Sequence, residues 1–156
     1  MLESFEVRKG DMLKALNTTD IFVHSCNGQG VWGSGIAAAI RGRCPKAYEQ
    51  YKAGPNKVGN GYIVADGDYK IGCLITSKGY GKYVDSSKNI ASNTLLAISS
   101  LLDDLEEKGI TEVTIHSPKI NSGLFRTPWQ WTKKAIKNAC NIHNPSIKVK
   151  WIVWEL

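Results

Sequence analysis

Short apolar segments rich in β-branched residues alternate with longer segments whose apolar residues recur at helical spacing. This alternation constrains the fold strongly, because interleaved strands and helices form a mostly parallel sheet with helices on both faces. The third and fourth apolar segments are separated by Gly67-Asp68, which favours a hairpin and therefore a mixed sheet. Strands are predicted at residues 5–9, 21–25, 62–66, 71–76, 112–116 and 147–154.

Three segments have helical patterns. The first is interrupted at Cys44-Pro45, because proline disfavours helical backbone at the residue before it. In the second, one apolar stripe includes Thr94, and Gly109 is placed to end the helix in a left-handed cap. The third begins with Thr127 as N-cap, Pro128 in the first helical position and Gln130 completing a capping box. The predicted helices cover residues 33–52, 87–108 and 127–140.

Length and charge narrow the class of protein. The 156 residues suit a single domain over residues 1–156, and 42% hydrophobic residues can form a core without disulfides. With 20 Lys and Arg against 14 Asp and Glu, the net charge of +6 suits an anionic partner. The basic residues are scattered, so we do not expect nucleic acid to be the primary ligand. No apolar run approaches the roughly 20 residues that span a bilayer, so no membrane partner is expected.

The four cysteines have neither disulfide-framework nor zinc-site spacing, and no histidine stands at ligand spacing from them. We interpret them as reduced thiols, and the amino-terminal residues have no signal-peptide pattern. These features predict an intracellular protein, cytoplasmic or nuclear, which we expect to be a monomer. No cluster of carboxylates or histidines suggests a metal, and no cofactor is predicted.

The first loop, residues 24–37, follows a predicted strand and opens a predicted helix. It contains four glycines within eight residues, and glycines let main-chain N–H groups approach phosphate oxygens closely at a helix N-terminus. A glycine-rich turn without a ligand is the alternative. A dinucleotide-binding unit is disfavoured because the next strand begins only at Tyr62, and the loop lacks the Gly-Lys-Ser/Thr of a P-loop. Trp32 stands where a cysteine-dependent phosphatase loop would carry arginine.

The second loop, residues 117–126, also follows a strand and leads to a helix. Ser122 and Gly123 can present main-chain N–H groups to a diphosphate. Phe125 either covers a ribose or base or packs in the core. Because parallel strands end at the same edge of a sheet, both loops belong to the region where α/β proteins bind ligands.

Three motifs resemble the macro domain family, which binds ADP-ribose. Residues 9–12, Lys-Gly-Asp-Met, resemble the family's Gly-Asp-Ile segment. Residues 23–27 and 33–37 resemble its Val-Asn-Ala-Ala-Asn strand and Gly-Gly-Gly-Ile-Ala loop, and residues 118–125 resemble its phosphate loop. The resemblance implies a three-layer α/β/α macro domain with a central mixed, mostly parallel sheet.

Within this family the chain is most similar to the yeast-type ADP-ribose 1''-phosphate phosphatases. Their pattern His-x-x-Asn-x-x-Gly-x-Trp-Gly-x-Gly-Ile-Ala is present in the first loop, and residues 76–81 and 121–129 are also similar. The resemblance implies hydrolysis of ADP-ribose 1''-phosphate, a by-product of tRNA splicing, to ADP-ribose and phosphate. Phe125 replaces the aspartate of the macro hydrolases that use a lysine and an aspartate, and Ser34 replaces a loop glycine.

The implied catalytic residues are His24 and Asn27. Imidazole titrates near neutral pH, so His24 can transfer a proton or contact phosphate, although a structural histidine is the alternative. Asn27 either contacts the distal ribose or turns the loop backbone. Cys26 is expected to be packed and inert, with water as the nucleophile. The implied substrate-binding residues are Asp11, Met12, Gly33, Ser34, Gly35, Ile36, Asn121, Ser122, Gly123, Leu124 and Phe125.

Several roles stay open. Asp11 accepts a hydrogen bond from adenine, caps the turn at Met12 and Leu13, or does both. His116 is buried or lines the pocket. Lys78 and Asp85 could reach a terminal phosphate or ribose. The competing functions are an ADP-ribosyl hydrolase acting on protein or nucleic acid, a non-catalytic ADP-ribose-binding module, and an RNA-binding domain.

Overall fold

Six strands of the computed structural model, which describes residues 1–156, lie in one sheet. The order across the sheet is first, sixth, fifth, second, fourth and third strand, and only the third and fourth pair antiparallel. The predicted mixed, mostly parallel sheet is confirmed, and each predicted strand overlaps an observed one. The strands are Leu2–Lys9 (β1), Ile21–Asn27 (β2), Gly61–Asp66 (β3), Tyr69–Ser77 (β4), Glu112–Ser117 (β5) and Lys148–Glu155 (β6).

Four α-helices connect these strands. Pro45 is the first residue of the second helix, so the predicted interruption at Cys44-Pro45 is confirmed. Gly109 takes a φ of 79°, and the Ile110 N–H donates to the Leu105 carbonyl oxygen at 3.0 Å, as expected of a left-handed cap. The helices are Gly35–Arg43 (α1), Pro45–Lys52 (α2), Ser87–Glu107 (α3) and Trp129–Asn138 (α4).

The predicted start of α4 is wrong. Pro128 is its N-cap, without a side-chain capping bond, and the Thr127 hydroxyl donates to the Phe125 carbonyl oxygen at 3.5 Å. Arg126 takes a φ of 56°, and the Thr127 N–H donates to the Asn121 carbonyl oxygen at 2.8 Å. Thr127 therefore closes the second loop instead of capping the helix.

The side chains of β2 alternate between two hydrophobic clusters, one on each face of the sheet. Ile21 and Val23 pack in the cluster that includes residues of α3 and α4. Phe22 and Cys26 pack in the cluster that includes residues of α1 and α2. The chain therefore forms three layers, helices on either side of one sheet, as the sequence predicts.

A hydrogen-bonded chain centred on the buried His116 links the start of β2 to β5 and β6. His116 of β5 stacks on Phe22 of β2, with ring centroids 4.4 Å apart. The Trp154 indole N–H donates to His116 Nδ1 at 3.0 Å, so Nε2 carries the ring hydrogen and donates to Asp20 Oδ2 at 2.8 Å. Burial raises the pKa of Asp20, but His116 and the hydrogen bonds from Asn17 and Thr19 together outweigh burial, so the pKa is lowered. Of the two interpretations of His116, the structure favours the buried one.

All four cysteines are buried and unpaired. None of the helices combines the length and apolar character needed to cross a membrane.

The parallel arrangement places the functional loops. Because β1, β6, β5, β2 and β4 run in the same direction, their carboxyl ends share one edge of the sheet. The first loop continues from β2 and the second from β5, which is its direct neighbour. The two loops therefore start side by side.

Candidate functional site

The two loops touch where Gly35 meets Leu124. Gly35 takes a φ of 61°, and a Cβ atom built on it lies 3.3 Å from Leu124 Cδ1. Leu124 contacts the first loop although 60% of its surface is exposed. Predicted binding residues from separate parts of the chain are thus brought to one place.

The first loop presents a run of free main-chain donors. Ser34 is the N-cap of α1, without a side-chain capping bond, and its carbonyl oxygen accepts the Ala38 N–H at 3.3 Å. The N–H groups of residues 33–37 make no hydrogen bond within the protein. A helix leaves its first N–H groups unpaired, and its dipole adds positive potential there. Gly33, Ser34 and Gly35 are also exposed, so an anion can reach these donors.

The second loop presents a similar run. Two main-chain hydrogen bonds close its turns. The Ser122 N–H donates to the Lys119 carbonyl oxygen at 3.2 Å, and the Arg126 N–H donates to the Gly123 carbonyl oxygen at 3.0 Å. The N–H groups of residues 123–125 make no hydrogen bond within the protein. No atom lies within 4 Å of a Cβ built on Gly123, so this part of the loop borders open space.

Asn27 holds the first loop together with its side chain. Its Oδ1 accepts the N–H groups of Gln29 at 3.0 Å and Val31 at 3.3 Å, and its Nδ2 donates to the Val31 carbonyl oxygen at 2.7 Å. The Tyr51 hydroxyl donates to the Asn27 carbonyl oxygen at 2.5 Å. The structure therefore shows the loop-turning role of Asn27, while its contact with a ribose stays a prediction.

His24 lies beneath the first loop and has no exposed surface. Its ring meets Trp32 edge-on, with centroids 4.8 Å apart, and its Nε2 lies 3.5 Å from Cys26 Sγ. A ring without exposed surface cannot exchange a proton directly with a bound substrate. The predicted catalytic role of His24 therefore requires movement of the first loop, and it stays a prediction.

Cys26 is packed in the same cluster, as expected, and shares its strand face with His24 because β2 extends to Asn27. Burial opposes ionisation of the Cys26 thiol, but Cys73, His24 and Trp32 outweigh burial and lower its pKa. The Trp32 indole N–H donates to the sulfur at 3.4 Å. The sulfur therefore serves as a buried acceptor that fixes Trp32 under the loop.

Asp11 lies at the same edge of the sheet. Its Oδ1 accepts the Leu13 N–H at 3.0 Å and caps the 3₁₀ turn Met12–Ala15, while its Oδ2 has no protein partner. The capping role is therefore present, and a contact from Oδ2 to adenine stays a prediction. The Met12 side chain is buried in the core, so only its main chain could reach a ligand.

Glu155 connects this segment to the second loop. The Gly10 N–H donates to the Glu155 carbonyl oxygen at 2.8 Å, and the Glu155 carboxylate pairs with Lys119 at 2.9 Å. The hydrogen bond from Lys119 lowers the pKa of Glu155. The predicted adenine and diphosphate segments thus border one another.

The segment after β4 borders the first loop on its other side. Asp85 Oδ2 accepts the Lys78 N–H at 3.0 Å, and the Asp85 N–H donates to Ser77 Oγ at 3.0 Å. The Gln29 side chain donates to the Lys78 carbonyl oxygen at 3.0 Å. Asp85 thus has a structural bond, and the suggested contacts of Lys78 and Asp85 with a phosphate or ribose stay predictions.

Two of the predicted binding residues of the second loop differ in exposure. Phe125 is half-buried, which leaves both of its interpretations open. Asn121 is only 3% exposed, and its side chain points into the protein, so only its main chain can face a ligand. That side chain is hydrogen-bonded to the buried hydroxyls of Thr76, Thr94 and Thr132, which the sequence did not indicate. Thr94, which stands in an apolar helical stripe, is the sign that a buried polar contact was present.

Two recesses lie away from the two loops. One of about 600 Å³ is lined by residues such as Asp20, Ile21 and Glu112 at the amino-terminal edge of the sheet. Another of about 660 Å³ runs along α3. No group of three or more His, Cys, Asp or Glu side chains could hold a metal ion. The assignment of the two loops as the candidate site therefore depends on their free donors and their contacts rather than on cavity size.

Comparison with known proteins agrees with the fold. Residues 23–136 match the family model described as Macro domain. The chain is 32% identical over 167 residues to the ADP-ribose 1''-phosphate phosphatase of Debaryomyces hansenii, covering 86% of this chain and 93% of that protein. It is 30% identical over 161 residues to the protein of the same name from Scheffersomyces stipitis, covering 83% of this chain and 91% of that protein.

Among solved structures, the macrodomain of Mycobacterium tuberculosis DarG matches with a TM-score of 0.74 at 19% identity, over 95% of this chain and 96% of that one. At that identity the match shows a shared fold. Together with the family model over residues 23–136, it establishes that the chain belongs to the macro domain family.

Proposed function

We propose that this macro domain hydrolyses ADP-ribose 1''-phosphate to ADP-ribose and phosphate. The observation that carries the proposal is the contact between Gly35 and Leu124, which brings two runs of free main-chain N–H groups together. Such donors bind phosphate oxygens without needing positively charged side chains. Relatives about 30% identical over most of the chain are named ADP-ribose 1''-phosphate phosphatases, which supports the substrate.

The proposed ligand spans the shared edge of the sheet. Asp11 Oδ2 is free to accept a hydrogen bond from the adenine amino group. The diphosphate takes the N–H groups of residues 33–37 and 123–125, and the distal ribose lies beside the first loop. Phe125 covers an apolar face of a ribose or of the base. Ser34, whose hydroxyl makes no capping bond, is free to contact the ribose or its phosphate.

In the proposed reaction, a water oxygen attacks the phosphorus atom as the bond to the ribose oxygen breaks. The attacking water loses a proton and the ribose oxygen gains one, so that ADP-ribose and inorganic phosphate are released. Ser34 and the first-loop donors beside it are proposed to stabilise charge on the transferred phosphoryl oxygens, which is the principal need of phosphoryl transfer, while residues 123–125 hold the diphosphate. His24 is the proposed proton carrier, and its burial means that it acts only after the first loop has moved. Asn27 is proposed to act with it from the same loop.

The same burial favours a second candidate, a non-catalytic ADP-ribose-binding module. A pocket that binds ADP-ribose need not hydrolyse a derivative of it. The lysine–aspartate hydrolase mechanism has weaker support, because Phe125 stands where those enzymes carry their aspartate.

The test is release of inorganic phosphate from ADP-ribose 1''-phosphate by the purified protein. We expect turnover by the wild type and, in His24→Ala, loss of about 100-fold or more in kcat with retained ADP-ribose binding, as for removal of a proton-transfer group. Undiminished turnover in His24→Ala would remove His24 from the mechanism. Wild-type protein that binds ADP-ribose in calorimetry but releases no phosphate would instead establish the binding module.

We further propose that the protein acts as a monomer inside the cell. The four buried free cysteines fit a reducing compartment. Light scattering coupled to size exclusion gives the mass in solution, and a dimer would contradict the proposed state.

A further inference from the structure

The side chain of Asn121 is enclosed by three threonine hydroxyls. The Thr76 hydroxyl donates to Asn121 Oδ1 at 2.8 Å. Asn121 Nδ2 donates to Thr94 Oγ1 at 2.9 Å and to Thr132 Oγ1 at 3.2 Å. All three threonines are buried, so the network is shielded from water. Both amide hydrogens and the amide oxygen are therefore used inside the protein.

The three partners belong to three different elements. Thr76 lies in β4, Thr94 in α3 and Thr132 in α4. The Thr94 hydroxyl donates to the Ile90 carbonyl oxygen at 2.6 Å, so its oxygen is left to accept from Asn121. The donor and acceptor directions are consistent throughout, and Asn121 links the second loop to the sheet and to two helices.

The backbone of Asn121 shapes the same loop. Its φ of 67° lies in the left-handed region, which asparagine and glycine tolerate better than other residues do. Its carbonyl oxygen accepts the Thr127 N–H at 2.8 Å. This bond closes the loop around residues 123–125, whose N–H groups are the free donors. A change in the orientation of Asn121 would therefore rotate those donors.

We propose that Asn121 is a positioning residue, whose threonine-bound side chain fixes the direction of the N–H groups of residues 123–125 toward a diphosphate. The inference depends on the proposed function for the identity of the ligand, but the effect on the loop does not require a ligand. Asn121 contacts no substrate through its side chain in this account. Its contribution lies in holding the donors in place before binding, which lowers the entropic cost of association.

The direct test is Asn121→Gly, which tolerates the positive φ and removes all three side-chain hydrogen bonds. In ligand-free protein we expect the amide NMR signals of residues 122–126 to shift and broaden. Calorimetry is expected to show ADP-ribose affinity reduced about tenfold, the equivalent of one lost hydrogen bond. Binding of adenosine, which has no diphosphate, should be unchanged. KM for ADP-ribose 1''-phosphate should rise by a similar factor while kcat stays within about twofold.

Asn144→Ala is the matched control. Asn144 is also buried; its Oδ1 accepts from Ser99 Oγ at 2.8 Å and its Nδ2 donates to Asp103 Oδ1 at 2.6 Å. These bonds lie outside both loops, so the control should be less stable than wild type with unchanged ADP-ribose affinity. The inference is overturned if Asn121→Gly leaves the signals of residues 122–126 in place, or weakens ADP-ribose no more than the control does.

The same experiments distinguish a wrong proposed function from a wrong role for Asn121. Wild-type protein that does not bind ADP-ribose would overturn the proposed ligand. The NMR comparison of ligand-free wild type, Asn121→Gly and Asn144→Ala would still decide whether Asn121 fixes the second loop. A second pair of variants, Thr94→Val and Thr132→Val, leaves Asn121 unchanged and should move the same signals in the same direction.

Discussion

Glycine-rich loops have few side chains of their own to hold them, and in this protein Asn27 does so for the first loop. Its amide bonds to Gln29 and Val31, and the Tyr51 hydroxyl anchors its carbonyl oxygen. Trp32 and His24 fill the space beneath. This support leaves the N–H groups of residues 33–37 free, because it uses other atoms of the loop. Asn27 and His24, the two predicted catalytic residues, therefore also support the loop that carries the free donors.

The contact between the two loops at Gly35 and Leu124 gives a prediction for Gly35→Ala. A Cβ at this position meets Leu124 at 3.3 Å, and alanine is strained at a φ of 61°. We expect ADP-ribose affinity to fall about tenfold or more, measured by calorimetry, since a backbone shift would misdirect the α1 donors.

Gly42→Ala is the control for that variant. Gly42 lies in the same helix, with no atom within 4 Å of a built Cβ. Alanine should stabilise α1 by about 0.5–1 kcal/mol without changing affinity. Equal ADP-ribose affinities for the two variants would show that Gly35 does not help to direct the α1 donors toward the ligand.

Among the elements, β2, β5 and β6 are joined by the Asp20–His116–Trp154 chain as well as by their main-chain ladders. The lowered pKa of Asp20 has a consequence for acid stability. An acid whose pKa is lower in the folded state contributes stability above its unfolded pKa, 3.8 here, and loses it as pH falls through the folded pKa. This pair should therefore support the sheet at neutral pH and fail in strong acid.

The prediction is that Asp20→Asn lowers the free energy of unfolding by about 1 kcal/mol at neutral pH. This is less than a buried hydrogen bond to a charged group contributes, because the Asp20 carboxylate is partly exposed and screened by water. The difference from wild type should shrink as pH falls below 3.8. Urea unfolding over a pH series measures it. Asp68→Asn, in the exposed turn between β3 and β4, should have little effect at any pH. A loss that is constant across the series would contradict the ionic contribution.

At the scale of the whole molecule, parallel pairing brings two loops from distant parts of the chain to one edge. This arrangement could be predicted, because periodicity indicates strands and helices and because parallel strands end together. The start of α4 could not be predicted, because the Thr127 N–H donates to the Asn121 carbonyl oxygen and Thr127 therefore belongs to the second loop. Local patterns do not reveal such competition between a cap and a loop.

The buried side-chain contacts of the site could not be predicted from the sequence either. The threonines around Asn121 lie 45, 27 and 11 positions away along the chain, so only the packing of β4, α3 and α4 brings them together. The burial of His24 likewise depends on Trp32, which folds over it from the first loop. The sequence predicts which residues belong to the candidate site, and tertiary packing decides which of them face inward.

The central claim is that both runs of free main-chain donors bind one diphosphate. Titration of ¹⁵N-labelled protein with ADP-ribose tests it most directly, by following amide signals across the chain. The account predicts that signals of residues 33–37 and of residues 123–125 shift together with the same dissociation constant. Shifts confined to one loop, or centred on the recess near Asp20 and Glu112, would contradict it.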